Sequence, residues 1–337
     1  MVRGLAIGSG GGFIFNHFNM PLSWMLGAMC FTTVASLAGL GLQIPSWFRT
    51  IMIAVLGVML GSMFSPEIFE NIQRWGYGLA TLLVYLAIVS ALGVLYFIRV
   101  AGFDRVTSYF CAMPGGLSEM VLVGDALGGD GRTISLIHAV RVLILVMTIP
   151  VFFRFLEGVD IPSSAQTGSI TGLTTLAAVV MVLCGLSGFL LAKWLRVPAA
   201  ALVGPMVVSA AVHLAGITHA HPPSEVIAIA QVGVGAAIGS RFSGVTLAQV
   251  FRILRLGFGS AVMMLALTIV FAWSAEKLGE LGFFVIVLSL APGGLAEMSL
   301  IALALGADTV FVSVMHIVRI GLIITLAPFV FRLLPSR

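Results

Sequence analysis

The octapeptide Met113-Pro114-Gly115-Gly116-Leu117-Ser118-Glu119-Met120 returns 178 residues later as Ala291-Pro292-Gly293-Gly294-Leu295-Ala296-Glu297-Met298. Proline removes a backbone donor, and Gly-Gly lets the chain turn without a side-chain clash, so the motif interrupts any helix that contains it. Working outward at the same offset, Asp130 meets Asp308, His138 meets His316, Arg141 meets Arg319, Pro150 meets Pro328 and Arg154 meets Arg332. Upstream, Gly57, Gly61, Ser62, Phe64 and Ser65 meet Gly235, Gly239, Ser240, Phe242 and Ser243. After a one-residue shift Pro21 and Gly27 meet Pro198 and Gly204. So many polar, Gly and Pro positions in register mark a duplication of about 160 residues, and self-similarity on this scale decides the architecture before any local pattern does. The chain divides into a first repeat, 1–157, and a second, 169–337.

The medium in which the repeats fold follows from composition. Of 337 residues, 60% are hydrophobic and 9% charged, with a mean hydropathy of +1.15. A soluble domain carries about a quarter charged residues, so a water-soluble globule is excluded. Apolar segments run over 4–18, 21–42, 47–64, 75–98, 108–127 and 132–155 in the first half, and over 170–192, 198–218, 226–240, 256–275, 282–306 and 309–334 in the second. The first is shorter than its partner, and an upstream start codon would restore the match. Trp24, Trp47, Trp75, Trp194 and Trp273 mostly stand near segment ends, as interfacial anchors do. Cys30, Cys111 and Cys184 are odd in number and lie in apolar stretches, which encodes neither a disulfide framework nor a cysteine metal site. The +4 formal charge comes from basic residues flanking apolar runs. It reports orientation, with no nucleic-acid partner implied.

The fifth segment of each half carries the Pro-Gly-Gly and a glutamate at its centre, which a continuous lipid-facing helix would not choose. A broken helix or a re-entrant hairpin is expected. If all six segments cross, basic residues divide into eight inside and seven outside, with no bias. If the fifth enters and leaves on one side, the division becomes twelve inside against Arg74, Arg154 and Lys277 outside. The positive-inside rule favours the second arrangement. Five crossings per half turn the second repeat upside down, the inverted plan of many secondary transporters. The expected fold is therefore an all-α polytopic membrane protein of two inverted repeats, multi-pass in a bacterial inner membrane. Assembly into a homo-oligomer is compatible with this plan.

Candidate chemistry sits on the repeated polar positions. Pro114, Gly115, Gly116 and Ser118, with Pro292, Gly293 and Gly294, would expose backbone amides at the start of a half-helix, where an anion is attracted. Glu119 and Glu297 fall in that first turn, either capping their own helix or paired with a cation. His138-x-x-Arg141 and His316-x-x-Arg319 place each pair on one helix face near mid-membrane. An arginine at that depth costs on the order of 2.5–3.5 kcal/mol, so it should face protein, water or an acid. Two accounts stand together: structural Glu/Arg pairs, or arginines that hold an anionic solute while histidine tunes affinity with pH. A coupling ion, proton or sodium, fits either, and no other cofactor is called for. Gly57/Gly61 and Gly235/Gly239 are expected at close helix contacts, Asp130 and Asp308 at helix N-caps. His213, His219 and His221 form a weak metal candidate in a loop, and no metal site is expected.

With these elements in view, the whole chain resembles the bacterial AbrB-type membrane proteins, which carry a tandem AbrB duplication. The resemblance implies the membrane fold. Members are often labelled ammonia monooxygenase or regulator of gene expression. A monooxygenase would need a compact copper or iron site, and the sequence offers no such ligand spacing. The expectation is a non-enzymatic secondary transporter of a small anionic solute, with a membrane sensor that affects expression indirectly as the alternative and an ammonia monooxygenase-like enzyme behind it.

Overall fold

A computed structural model of the chain describes all residues except Pro21, 66–71, 158–167, Thr246, 279–280 and 334–337. Pro21, Arg337 and the side chains of Arg74 and Arg154, all used in the sequence reading, lie outside the described residues. The described residues form fourteen α-helices, seven per repeat. The first repeat holds α1 (Val2–His17), α2 (Ser23–Leu37), α3 (Ser46–Gly61), α4 (Ile72–Tyr96), α5 (Arg105–Ala112), α6 (Leu117–Ala126) and α7 (Gly131–Glu157). The second holds α8 (Thr175–Trp194), α9 (Ala200–Leu214), α10 (Ser224–Gly239), α11 (Leu247–Leu278), α12 (Phe283–Leu290), α13 (Leu295–Ala304) and α14 (Thr309–Leu333). Among the described residues, six helices are long and apolar enough to cross a membrane, and four shorter helices are also apolar.

Each fifth apolar segment is two helices. Asp104 caps α5, its carboxylate accepting from the Thr107 N–H at 3.0 Å. The helix stops at Met113, which is extended (φ −61°, ψ 126°) as the residue before a proline must be. Gly116, also extended, opens α6, and Gly128 at φ +88° ends it in the left-handed conformation that favours glycine. At 1.5 Å per residue the two helices are about 12 and 15 Å long, each about half a hydrocarbon core. They fold back on one another. A Cβ at Gly124 would stand 3.2 Å from Phe110, one at Gly129 3.0 Å from Val106, and the Asp130 N–H donates to Thr107 Oγ1 at 2.9 Å. The chain thus leaves the hairpin beside the place where it entered.

Two compact units can be described separately. The first covers Met1–Asn71, Met147–Val245 and Ser299–Val310 and contains α1–α3 and α8–α10. Here glycines bring backbones into contact. Gly11 of α1 faces Gly27 of α2, and Gly188 of α8 faces Gly204 of α9, the same pair in each repeat. Gly57 and Gly61 of α3 lie against Leu202 and Met206 of α9, while Gly235 and Gly239 of α10 lie against Met25 and Thr32 of α2. Small residues at these positions let apolar helices approach closely enough for dispersion and Ser209 Oγ–H···O=C Val58 (2.8 Å) to hold them.

The second unit covers Ile72–Val146, Thr246–Met298 and Phe311–Arg337. Helices α4 and α11, equivalent in the two repeats, run antiparallel. Tyr85 meets Thr268 (2.9 Å), Tyr96 meets the Leu256 carbonyl (3.0 Å), and the Ala101 carbonyl meets Arg252 (3.3 Å). Helix α5 runs with α7, since Phe110 faces His138 and Met113 faces Arg141. It runs against α14: the Tyr109 hydroxyl donates to the Ala327 carbonyl at 2.9 Å, and Gly115 lies against Ile323. Equivalent helices α7 and α14 therefore also point in opposite directions. Each compact unit draws helices from both repeats, so the duplicated sequence blocks are not themselves the spatial bodies.

Candidate functional site

Both Pro-Gly-Gly bends and both His-x-x-Arg pairs lie in the second unit. Helix α7 carries His138 and Arg141 on the face toward α5, and both are 1% exposed. His138 Nε2 stands 2.9 Å from the Phe110 carbonyl and so carries the proton; its Nδ1 lone pair accepts from Arg141 Nη2 at 3.0 Å. Arg141 also donates to the carbonyls of Cys111 (3.4 Å) and Met113 (3.2 Å), and its Nη1 lies 3.8 Å from Met264 Sδ. On α14, His316 Nε2 faces the Leu288 carbonyl at 2.9 Å. Arg319 donates to the carbonyls of Leu290 (3.4 Å), Ala291 (2.6 Å) and Gly293 (2.8 Å).

The physical logic is that of helix ends. A helix that stops in an apolar interior leaves its last carbonyls without partners and with partial negative charge. Arg141 and Arg319 supply donors to those carbonyls on α5 and α12. Glutamate serves the opposite end: Glu119 and Glu297 are the third residues of α6 and α13, and their carboxylates fold back over Gly116 and Gly294, each occupying the space a Cβ would fill there. Each carboxylate thus lies over the residue that opens its own helix, the end where the helix dipole favours negative charge. Among the described residues the partners of both guanidiniums are carbonyls, a sulfur and a histidine, so the expected Glu/Arg pairs are not what holds them.

Among the described residues, then, no carboxylate pairs with either buried cation. Arg141 and Arg319 are within electrostatic reach of each other and of Tyr85, and the Nε of each is buried without a hydrogen-bond partner. Tyr85 is 0% exposed, and its hydroxyl bonds Thr268 Oγ1. Thr268 in turn donates to the Met264 carbonyl at 2.9 Å, so Tyr85 is the donor in the pair and its remaining lone pairs stay available. Sequence reasoning missed Tyr85, Thr268 and Met264. A tyrosine in the middle of an apolar segment, away from the interface where Tyr usually anchors, was the signal that could have found it.

The remaining candidates divide. Ser118 is exposed and Ala296 buried; Pro114 and Pro292 are buried at their bends. Asp130 caps α7, accepting from the Arg132 and Thr133 N–H groups at 3.0 and 3.1 Å. Partial burial works to raise its pKa, but the Thr133 hydroxyl, these two N–H groups and the Arg132 charge outweigh it and hold the carboxyl below its ordinary value. In the first unit His213 and His221 stack at 6.1 Å. His213 reaches the Ser209 and Ala220 carbonyls, and His221 reaches Ser62. Burial, then the charges of His213 and His219, lower the His221 pKa. Among the described residues no three His, Cys, Asp or Glu side chains gather to hold a metal ion.

An all-helical chain with long apolar helices, paired broken helices and buried mid-helix arginines belongs to the class of multi-pass membrane proteins. The chain is a member of the family described as "Transition state regulatory protein AbrB", whose profile matches residues 24–335. It is similar to "Uncharacterized protein YhjN" of Bacillus subtilis (strain 168), with 29% identity over 98% of this chain and 92% of the relative. It is also similar to "Putative regulator AbrB" of Escherichia coli (strain K12), with 26% identity over 96% of this chain and 93% of the relative.

Proposed function

We propose that the protein is a secondary transporter of a small anionic solute, working by alternating access in a bacterial inner membrane. The observation that carries this reading is the pair of fully buried, repeat-equivalent guanidiniums, Arg141 and Arg319, within electrostatic reach of one another, with no carboxylate among their partners in the described residues and with Nε–H left over on each. Charges of like sign in an apolar interior repel and are poorly solvated. A solute that brings negative charge relieves both costs, and its passage would be linked to the state of the two bends. The opposite directions of the equivalent pairs α4/α11 and α7/α14 support the inverted-repeat plan, because a two-fold axis along the membrane normal would leave equivalent helices parallel. A proton or sodium ion is the proposed coupling partner.

The reading is tested by uptake into proteoliposomes across a panel of small carboxylates and inorganic anions, under proton and sodium gradients, with Arg141→Ala and Arg319→Ala alongside. Uptake of one anion class, abolished by either substitution, is the expected result. Uptake that survives both removes the arginines from the mechanism. The name of the E. coli relative favours one second reading, a membrane regulator acting on expression indirectly. It predicts ligand-dependent change in expression without solute flux.

A further inference from the structure

The two clasps are not copies of one another. At the offset of 178, Leu290, Ala291 and Gly293 correspond to Ala112, Met113 and Gly115. Arg141 holds the carbonyls of Cys111 and Met113, whereas Arg319 holds those of Leu290, Ala291 and Gly293. The second guanidinium has thus stepped forward into the bend. Met113 is reached by Nη2 of Arg141, while its counterpart Ala291 is reached by Nη1 of Arg319, which frees Nη2 for Gly293. The histidines differ in step. His138 Nδ1 holds Arg141 back at 3.0 Å, while His316 Nδ1 is buried with no partner. Exposure follows: Ser118 is exposed and Glu119 half-buried beside the retracted clasp, whereas Ala296 is 6% and Glu297 7% exposed beside the advanced one.

We infer that each His-x-x-Arg pair is a two-position clasp, in which the histidine Nδ1 is the latch that holds the arginine off the Pro-Gly-Gly bend. With the latch engaged the bend is open. With it released the arginine takes the glycine carbonyl, and the bend closes. The structure displays one position in each repeat. The histidine acts through the arginine, so it is a positioning residue. Exchange of the two positions between repeats is the step that would open one bend as the other closes; that link to solute movement rests on the transporter reading above.

The test uses full-length protein with Cys30, Cys111 and Cys184 replaced by alanine and one cysteine introduced, Ser118→Cys or Ala296→Cys, reacted with a maleimide. Ser118→Cys should label fast and Ala296→Cys slowly. His138→Gln keeps an N–H for the Phe110 carbonyl but removes the acceptor at Nδ1; it should slow labelling of Ser118→Cys about tenfold, the effect of losing one hydrogen bond to a charged group. His138→Asn retains an acceptor near the Nδ1 position and should keep the fast rate. His316→Gln should leave Ala296→Cys unchanged, because its Nδ1 has nothing to release. A Ser118→Cys rate indifferent to His138→Gln overturns the inference. Independently of any substitution, hydrogen exchange of the native protein should be faster over 114–120 than over 292–298, and equal exchange overturns it too. If the labelling contrast holds but no anion is transported, the transporter reading fails and the clasp stands.

Discussion

Replacing Thr268 by valine should destabilise the protein more than replacing its partner Tyr85 by phenylalanine, although each change removes the same hydrogen bond. Both side chains are 0% exposed, and the bond between them, 2.9 Å long, joins α4 to α11. The Thr268 hydroxyl already donates to the Met264 carbonyl, so Tyr85 is the donor. Tyr85→Phe leaves behind an oxygen that has lost one donor but keeps its own bond, at a cost of about 0.5–1.5 kcal/mol. Thr268→Val leaves a phenolic O–H buried and unsatisfied, at a cost of about 1–3 kcal/mol. The double variant removes both groups, so the coupling should be about 1 kcal/mol, with the pair costing less than the sum of the single changes. For a chain of this length each kcal/mol moves the melting midpoint by about 2 °C or less, so the assay is thermal unfolding in one detergent with replicate scans. A Thr268→Val variant as stable as Tyr85→Phe would refute the donor assignment, and additive costs would refute the contact itself.

Further outcomes follow from the same contacts. A Cβ at Gly27 meets the backbone of Gly11, which cannot yield, so Gly27→Ala should lower stability by about 1–3 kcal/mol through overpacking. Gly10→Ala, with nothing within 4 Å, should be neutral or stabilising by up to about 1 kcal/mol from helix propensity; melting curves of the two variants check the contrast. Asp130→Ala should cost about 1 kcal/mol at neutral pH. Because the folded carboxyl titrates below its ordinary value, that contribution is present above about pH 4 and lost as the pH falls through the folded pKa, where the variant and the parent should converge. His221 is held neutral by burial and its neighbours, so its contribution is present above about pH 6.5 and lost on acidification. His221→Gln should flatten the fall in melting midpoint between about pH 7 and pH 5.5.

The repeat, the Pro-Gly-Gly break and the Asp130 cap were legible because each is written in residue types that leave the backbone few options. The hairpin of α5 and α6 was legible only indirectly, through the basic residues that flank it. The partners of Arg141 and Arg319 were not, since the carbonyls they hold belong to Cys111, Met113, Leu290, Ala291 and Gly293, and a carbonyl carries no sequence signature. The glutamates drew attention as the nearest acids, yet their carboxylates lie over Gly116 and Gly294 at their own helix starts. Tyr85 escaped for a different reason: its repeat counterpart is Met263, and a search for matched positions passes over a residue needed only once. The mixing of the repeats into each compact unit was also hidden, because Gly57 and Gly235 announce a close contact without naming the helix contacted.

The most direct test of opposed repeats labels Ala126→Cys and Ala304→Cys, equivalent helical sites at the ends of α6 and α13, neither of them buried. Each would be placed in the cysteine-free background and exposed to a membrane-impermeant thiol reagent in intact cells and in inside-out vesicles. The account predicts that the two sites react from opposite faces of the membrane. Reaction of both from the same face would contradict it.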